Sequence, residues 1–280
     1  INTKRFASLL IKENPDYIIS THFLSSEISA YLKRNQKINS KIITVITDFG
    51  IHPFWLSKGT DIYVVALGSS RWQLILRGVE ENNIKELGIP IDAKFLRRYD
   101  KSIIFKNLRL QQDKFTVLIV TGSFGIGPIE EIVDVLHNDV QILVACARNR
   151  RLYKRLKNKN YPNLRVFSFI DNIQELMAIS GVIITKPGGL TISESLSMNL
   201  PQIFISPIPG QETENIKILA HYGIGIYLKN LTEIINTVID FKEHPDKLNK
   251  IKEKINKIKK PHSAEELCRV ICQSSIRATN

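Results

Sequence analysis

Apolar residues fall along this 280-residue chain in short β-branched runs separated by longer stretches of helical period. Residues 16–21 (DYIIST), 41–47 (KIITVIT) and 61–66 (DIYVVA) are strand-like, while 25–36 and 69–79 carry the three-and-four spacing of an amphipathic helix. The chain already reads as helical where it begins at Ile1. After the breaker Gly88-Ile89-Pro90-Ile91-Asp92 a second cycle starts at 115–121 (FTVLIVT), passes a glycine-rich turn and opens a helix near Pro128. Further strands are expected at 141–145, 164–167, 182–185 and 202–205, with helical stretches between them. Strands alternating with helices predict parallel sheets covered on both faces, an α/β fold. We expect two lobes meeting between Gly88 and Lys114: residues 1–92, residues 93–263, and a final helix over 264–280 packing back on the first lobe.

Composition narrows this picture only slightly. Hydrophobic residues make up 43% and charged residues 24%, ordinary for a chain with a real core. No apolar run approaches the ~18 residues of a membrane helix. Cys146, Cys268 and Cys272 cannot all pair and lack zinc-ligand spacing, so packed thiols in a reducing cytoplasm are expected. The net charge of +12 calls for an acidic partner: nucleic acid, an anionic membrane or a phosphorylated ligand. Lys33, Arg34, Lys37 and Lys41 cluster early and a lysine ladder runs over 247–260, without the aromatic interleaving of an RNA-binding surface.

Three strand–turn–helix segments carry candidate chemistry. In Thr121-Gly122-Ser123-Phe124-Gly125-Ile126-Gly127-Pro128, glycines allow close backbone approach to a phosphate ahead of a helix N-terminus. The order G-x-x-G-x-G matches neither a Walker A loop nor the dinucleotide fingerprint, and a tight turn without a ligand explains it equally well. In Thr185-Lys186-Pro187-Gly188-Gly189-Leu190-Thr191-Ile192-Ser193-Glu194, the turn aims amides at a diphosphate and leaves the Glu194 carboxylate for ribose hydroxyls. A solvated glutamate on an ordinary helix is the plainer reading. In the third segment, after Pro207-Ile208-Pro209-Gly210, Gln211, Glu212 and Asn215 share a helical face and suit a sugar's hydroxyls, as would any polar helix start.

The stretch 185–215, with the spacing of its two turns, resembles the donor-binding half of the diacylglycerol glycosyltransferases: the monogalactosyldiacylglycerol synthases and the processive diacylglycerol glucosyltransferases. It is more distantly similar to the N-acetylglucosaminyltransferase that completes the peptidoglycan lipid precursor. Thr47-Asp48-Phe49-Gly50-Ile51-His52-Pro53-Phe54-Trp55 and the Gly88-Ile89-Pro90-Ile91 link look like the family's first lobe. The resemblance implies two Rossmann-like lobes of the glycosyltransferase B type and inverting transfer without a metal or other cofactor. It implies Gly122, Ser123 and Phe124 at the phosphates, with Lys186, Pro187, Gly188, Gly189, Leu190 and Thr191 forming the turn that faces the diphosphate. Glu194 would meet the ribose, Ile170 the uracil, and Gln211, Glu212 and Asn215 the hexose. The family's first strand and its glycine-glycine-histidine loop, which holds the usual base, would precede Ile1, so the first lobe reads as incomplete. The chain is therefore expected to bind donor but transfer little. His52 and Asp48 are the in-chain candidates for a base, and structural roles suit both.

These residues lead to transfer of glucose or galactose from a UDP-sugar to diacylglycerol, by a cytoplasmic protein held peripherally at an anionic membrane. No Asp-x-Asp metal motif lies near the loops. A polyprenyl-linked or other glycan precursor as acceptor, or a nucleotide-sugar-binding protein without turnover, are the alternatives. A nucleic-acid partner is not expected, since the glycine turns would then lack a purpose.

Overall fold

The computed structural model describes residues 3–120 and 127–276. Two compact units are present, one of residues 1–91 with 260–280 and the other of residues 92–259. In the first, the elements run α1 (Thr3–Glu13), β1 (Tyr17–Ser20), α2 (Phe23–Arg34), β2 (Lys41–Val45), β3 (Ile62–Val65), α3 (Gly68–Ile75) and β4 (Ile84–Glu86). The four strands form a parallel sheet in the order β1-β2-β3-β4. All four β3 residues are buried, as expected of a strand covered on both faces. The α2 helix starts two residues earlier than its apolar period predicts, because the His22 Nδ1 accepts the Leu24 amide at 3.1 Å. The β2 strand ends at Val45 rather than Thr47, and the chain folds over into a 3-10 turn at Pro53–Trp55. That turn inserts Trp55 into a core with Ile46, Tyr63 and Leu74.

The second unit contains α4 (Lys101–Asn107), β5 (Thr116–Val120), α5 (Ile129–Leu136), β6 (Gln141–Ala145), α6 (Arg150–Lys157), β7 (Leu164–Phe167) and α7 (Ile173–Ile179). It continues through β8 (Val182–Thr185), α8 (Gly189–Ser197), β9 (Gln202–Phe204), α9 (Gln211–Tyr222), β10 (Gly225–Tyr227), α10 (Leu231–Glu243) and α11 (Pro245–Ile258). Its six strands are all parallel, in the order β10-β9-β8-β5-β6-β7. Val117, Ile119, Val182, Ile184 and Ile203 pack against Ile132, Val133 and Leu136 of α5 and Val238 and Phe241 of α10. The three-residue strands β4 and β10 are additions to the strands that periodicity predicts.

From residue 260 the chain belongs to the first unit again, and α12 (Ser263–Ile276) lays Leu267, Val270 and Ile271 over Ile43, Val45, Ile62 and Val64. The Ser263 hydroxyl donates to the Ile89 carbonyl at 2.8 Å. The cysteines divide. Cys146 is buried, and that burial pushes its thiol up to about 11, whereas Cys268 and Cys272 are exposed on α12 and are not the packed thiols expected.

The approach of residue 260 to the Gly88 link depends on a missing side chain. Gly88 has φ +89°, and a Cβ there would lie 2.4 Å from the Lys260 Cβ and 3.2 Å from that of Ser263. Gly88→Ala therefore combines a left-handed backbone with a contact against two stems that cannot rotate away. It is expected to lower the unfolding free energy by about 1–3 kcal/mol, read from urea denaturation. An unchanged midpoint would show that the 260–263 segment shifts freely.

Candidate active site

Parallel register brings the ends of five strands of the second sheet into one row. Phe204 pairs with Thr185, Thr185 with Val120, Val120 with Ala145, and Ala145 with Phe167. The segments leaving β5, β8 and β9 are the three singled out in the sequence, so they start side by side at the carboxyl edge. The chain builds outward in one direction through β5, β6 and β7, then in the other through β8, β9 and β10. The reversal lies between β5 and β8, where an open α/β sheet leaves its ligand crevice. Gly122, Ser123 and Phe124 lie outside the described residues, but Gly127 follows with φ +136°, and a Cβ on it would lie 3.1 Å from Ile205 Cδ1.

The β8 turn is built tightly. Gly188 N–H donates to the Lys186 carbonyl at 2.9 Å, and the first helical bond of α8 runs from Ile192 N–H to the Gly188 carbonyl at 3.0 Å. The amides of Gly189, Leu190 and Thr191 have no acceptor among the described residues, as expected at the positive end of a helix. Lys186 makes no ion pair among the described residues. Pro187 is buried, and its carbonyl accepts the Asn215 Nδ2 at 3.0 Å. Asn215 is 0% exposed. It is thus a strut that ties α9 to the β8 turn, not the hexose contact expected from its place on the helix.

The other two residues of that trio stay near the surface. Gly210 has φ +95°, which lets the chain enter α9 sharply, and Thr213 Oγ1 accepts its amide at 3.1 Å. Glu212 is partly engaged, its Oε2 accepting the Ile208 amide at 2.5 Å. Gln211 and Glu212 are both half-buried at the start of α9.

Glu194 is the electrostatic centre. It lies half-buried on α8, its carboxyl without a hydrogen bond among the described residues, and desolvation pushes that carboxyl up to about 7 from 4.5. Lys94 pulls in the opposite direction and Asp92 adds to the rise. Sequence reasoning missed both residues. They belong to the 3-10 turn Ala93–Leu96, which the Asp92 carboxylate caps by accepting the Lys94 amide at 2.9 Å. The Lys94 ammonium also donates to the Asp171 carbonyl at 2.9 Å. One lysine therefore links the surroundings of Glu194 to the segment after β7 that carries the half-buried Ile170. Among the described residues no three His, Cys, Asp or Glu side chains converge as for a metal.

In the first unit the two base candidates are held by local structure. The Asp48 Oδ2 accepts the Trp55 indole N–H at 3.0 Å. The His52 Nδ1 accepts the Phe54 amide at 3.3 Å and its ring meets Phe54 edge-on. A neutral His52 in that arrangement carries its proton on Nε2, so Nε2 has no lone pair with which to accept one.

Two parallel-sheet units, with glycine turns at the carboxyl edge of the second, define the glycosyltransferase B class of fold. Solved structures agree at that level: Acinetobacter baumannii MurG has a TM-score of 0.67 at 15% identity, covering 97% of this chain and 77% of its own. The Staphylococcus aureus MnaA–UDP co-structure has a TM-score of 0.74 at 13% identity, covering 99% and 79%. The family is settled by sequence. The monogalactosyldiacylglycerol (MGDG) synthase profile matches residues 1–91, and that of the glycosyltransferase family 28 C-terminal domain matches residues 113–267. The processive diacylglycerol beta-glucosyltransferase of Bacillus licheniformis is 33% identical over 98% of this chain and 73% of its own length. That of Staphylococcus haemolyticus is 33% identical over 94% and 68%. The chain belongs to the diacylglycerol glycosyltransferase family, within glycosyltransferase family 28.

The sign of the Glu194 effect on stability follows from its direction. A carboxyl raised in the folded state contributes stability that is full below about pH 4.5, declines from there, and is lost above about pH 7. Glu194→Gln removes that titration. It should exceed the parent in stability by about 1–3 kcal/mol at pH 8 and match it near pH 4, in urea denaturation at the two pH values. An equal difference at both would mean that the site does not desolvate the carboxylate.

Proposed function

We propose that the chain is a UDP-sugar-dependent hexosyltransferase that passes glucose or galactose to diacylglycerol with inversion at the anomeric carbon. The observation that carries this is the row of turns at the strand-order reversal, with open α8 amides and a desolvated Glu194 beside them. The amides of Gly189, Leu190 and Thr191 suit the diphosphate, where they would stabilise the departing charge as the acceptor hydroxyl attacks. Glu194 suits the ribose hydroxyls, and Ile170, near the Lys94 link, suits the uracil edge. Gln211 and Glu212 suit the hexose, with Asn215 holding their helix in place. The Gly122-Ser123-Phe124 turn is assigned to the phosphates by resemblance alone. No cofactor enters this scheme.

Ribose hydroxyls that donate to Glu194 favour its ionised form, so donor binding should draw the proton off. Affinity for uridine diphosphate is then expected to rise with pH up to about 7 and level off above it. Glu194→Ala should weaken binding by about 1–3 kcal/mol in calorimetry at pH 8. Unchanged affinity in a folded variant would remove Glu194 from the site. Transfer is read separately, as lipid-extractable label after incubation with labelled UDP-glucose or UDP-galactose and diacylglycerol. Donor binding with no label in the lipid would favour the binding-only reading.

A lipid acceptor also supports peripheral attachment of a cytoplasmic protein to an anionic bilayer. Of the adjacent aromatics Phe54 and Trp55, Trp55 is 2% exposed and belongs to the core, while Phe54 is 63% exposed. Trp72 on α3 and Leu76 just past its end are 61% and 83% exposed and neighbour Arg71 and Arg77 in sequence. Lys33 and Arg34 are paired with Asp61 and Glu27, so the basic cluster is weaker than its composition suggests. No helix among the described residues is long and apolar enough to cross a membrane. Co-sedimentation with anionic liposomes should fall as salt rises toward 1 M, where screening lengths shrink to ~3 Å, and should drop further in Trp72→Ala/Leu76→Ala. Equal binding to neutral vesicles would refute the electrostatic part.

A further inference from the structure

Ile170 sits on a segment with few restraints of its own. The β7 strand is at the edge of the second sheet, with β6 as its one neighbour, so no further strand holds the chain after Phe167. Ser168 and Phe169 are exposed. Among the described residues the segment 168–171 makes one hydrogen bond, in which the Lys94 ammonium donates to the Asp171 carbonyl at 2.9 Å. Lys94 is itself well anchored. Its amide donates to the Asp92 carboxylate at 2.9 Å, and its carbonyl accepts the Tyr99 hydroxyl at 2.7 Å. Its ammonium lies 5.6 Å from the ring centroid of the buried Phe95. The side chain thus reaches from a fixed turn to a segment 77 residues further on.

A half-buried ammonium loses hydration that one bond to a neutral carbonyl does not fully replace. Lys94 makes no ion pair among the described residues. Its charge nevertheless acts on Glu194, in the opposite sense to that of Asp92 on the same turn. One 3-10 turn therefore bears both on the segment that carries Ile170 and on the Glu194 carboxyl. We propose that Lys94 is a positioning residue for the nucleoside half of the donor, holding the 168–171 backbone where the base meets it and presenting its charge to the carboxylate that meets the ribose. The assignment rests on the donor site proposed above. Removing the lysine should loosen the first contact and, by removing an opposing charge, make Glu194 titrate above its value of about 7.

The test uses the full chain, with calorimetry for uridine diphosphate and an NMR titration for the weaker, uncharged uridine. Lys94→Met should weaken both about tenfold, as expected when a charge-assisted contact is lost, and Lys94→Arg should retain most of the affinity. In the ligand-free protein the Glu194 carboxyl, assigned by its absence in Glu194→Gln, is followed by NMR against pH. It should titrate higher in Lys94→Met than in the parent, and Lys94→Arg should restore it. A lysine that only stiffens the fold would leave that titration in place. Circular dichroism checks folding, and Lys94→Gln carries the comparison if the methionine variant does not fold. Unchanged affinity for uridine diphosphate, an unmoved Glu194 titration, or a loss confined to the diphosphate and absent for uridine would overturn the proposal. Failure of the parent to bind uridine diphosphate would instead refute the donor site itself.

Discussion

The candidate site rests on a reversal of direction in an all-parallel sheet. Because β5 and β8 are neighbours in register, the chain must leave both at the same edge, Val120 level with Thr185. Crossovers that build outward from such a pair carry their helices away from each other, and the space between is lined by loops and helix N-termini. Backbone amides without partners are costly in a closed core but are an asset at an open edge. The tight Lys186–Gly188 turn keeps them there, and the buried Asn215 amide fixes α9 to the same turn. The starts of the α8 and α9 segments follow from that register and those two restraints.

Glu194 shows how the scaffold and the chemistry conflict. An ordinary surface helix would leave a glutamate solvated, at its usual pKa, and slightly stabilising near the positive end of the dipole. Here desolvation outweighs both that dipole and Lys94, and the carboxyl is raised. Such a group does not help the protein fold at neutral pH, where its ionisation opposes burial.

Most strands of both sheets were legible because parallel strands buried on two faces read as continuous β-branched runs, as KIITV and TVLIV do. The strands β4 and β10 escaped notice since three residues carry no detectable period. The turn after β8 was legible through its glycines, and Glu194 through its distance from them. Side-chain direction was not. Asn215 shares a helix face with Gln211 only approximately, and tertiary packing turns it into the core. Lys94 and Asp92 lie about a hundred residues from Glu194 in sequence, and only the 3-10 turn brings them within electrostatic range. Phe54 and Trp55 are adjacent aromatics that sequence does not tell apart, yet on the 3-10 turn one points into the core and the other to solvent.

The two sheets also differ in when they can be completed. Every strand and covering helix of the second unit lies within one uninterrupted segment, 92–259. The first sheet instead leaves Ile43, Val45, Ile62 and Val64 without their cover until Leu267, Val270 and Ile271 arrive some two hundred residues later. Closing so long a loop costs little more than closing one of half its length, so the equilibrium penalty is small. Its kinetic consequence is larger, because contacts of high sequence separation form slowly and leave apolar surface open meanwhile. The second unit can therefore bury its core on its own, while the first depends on the last helix of the chain, and the Gly88 link that receives residues 260–263 is the point at which that dependence is made structural.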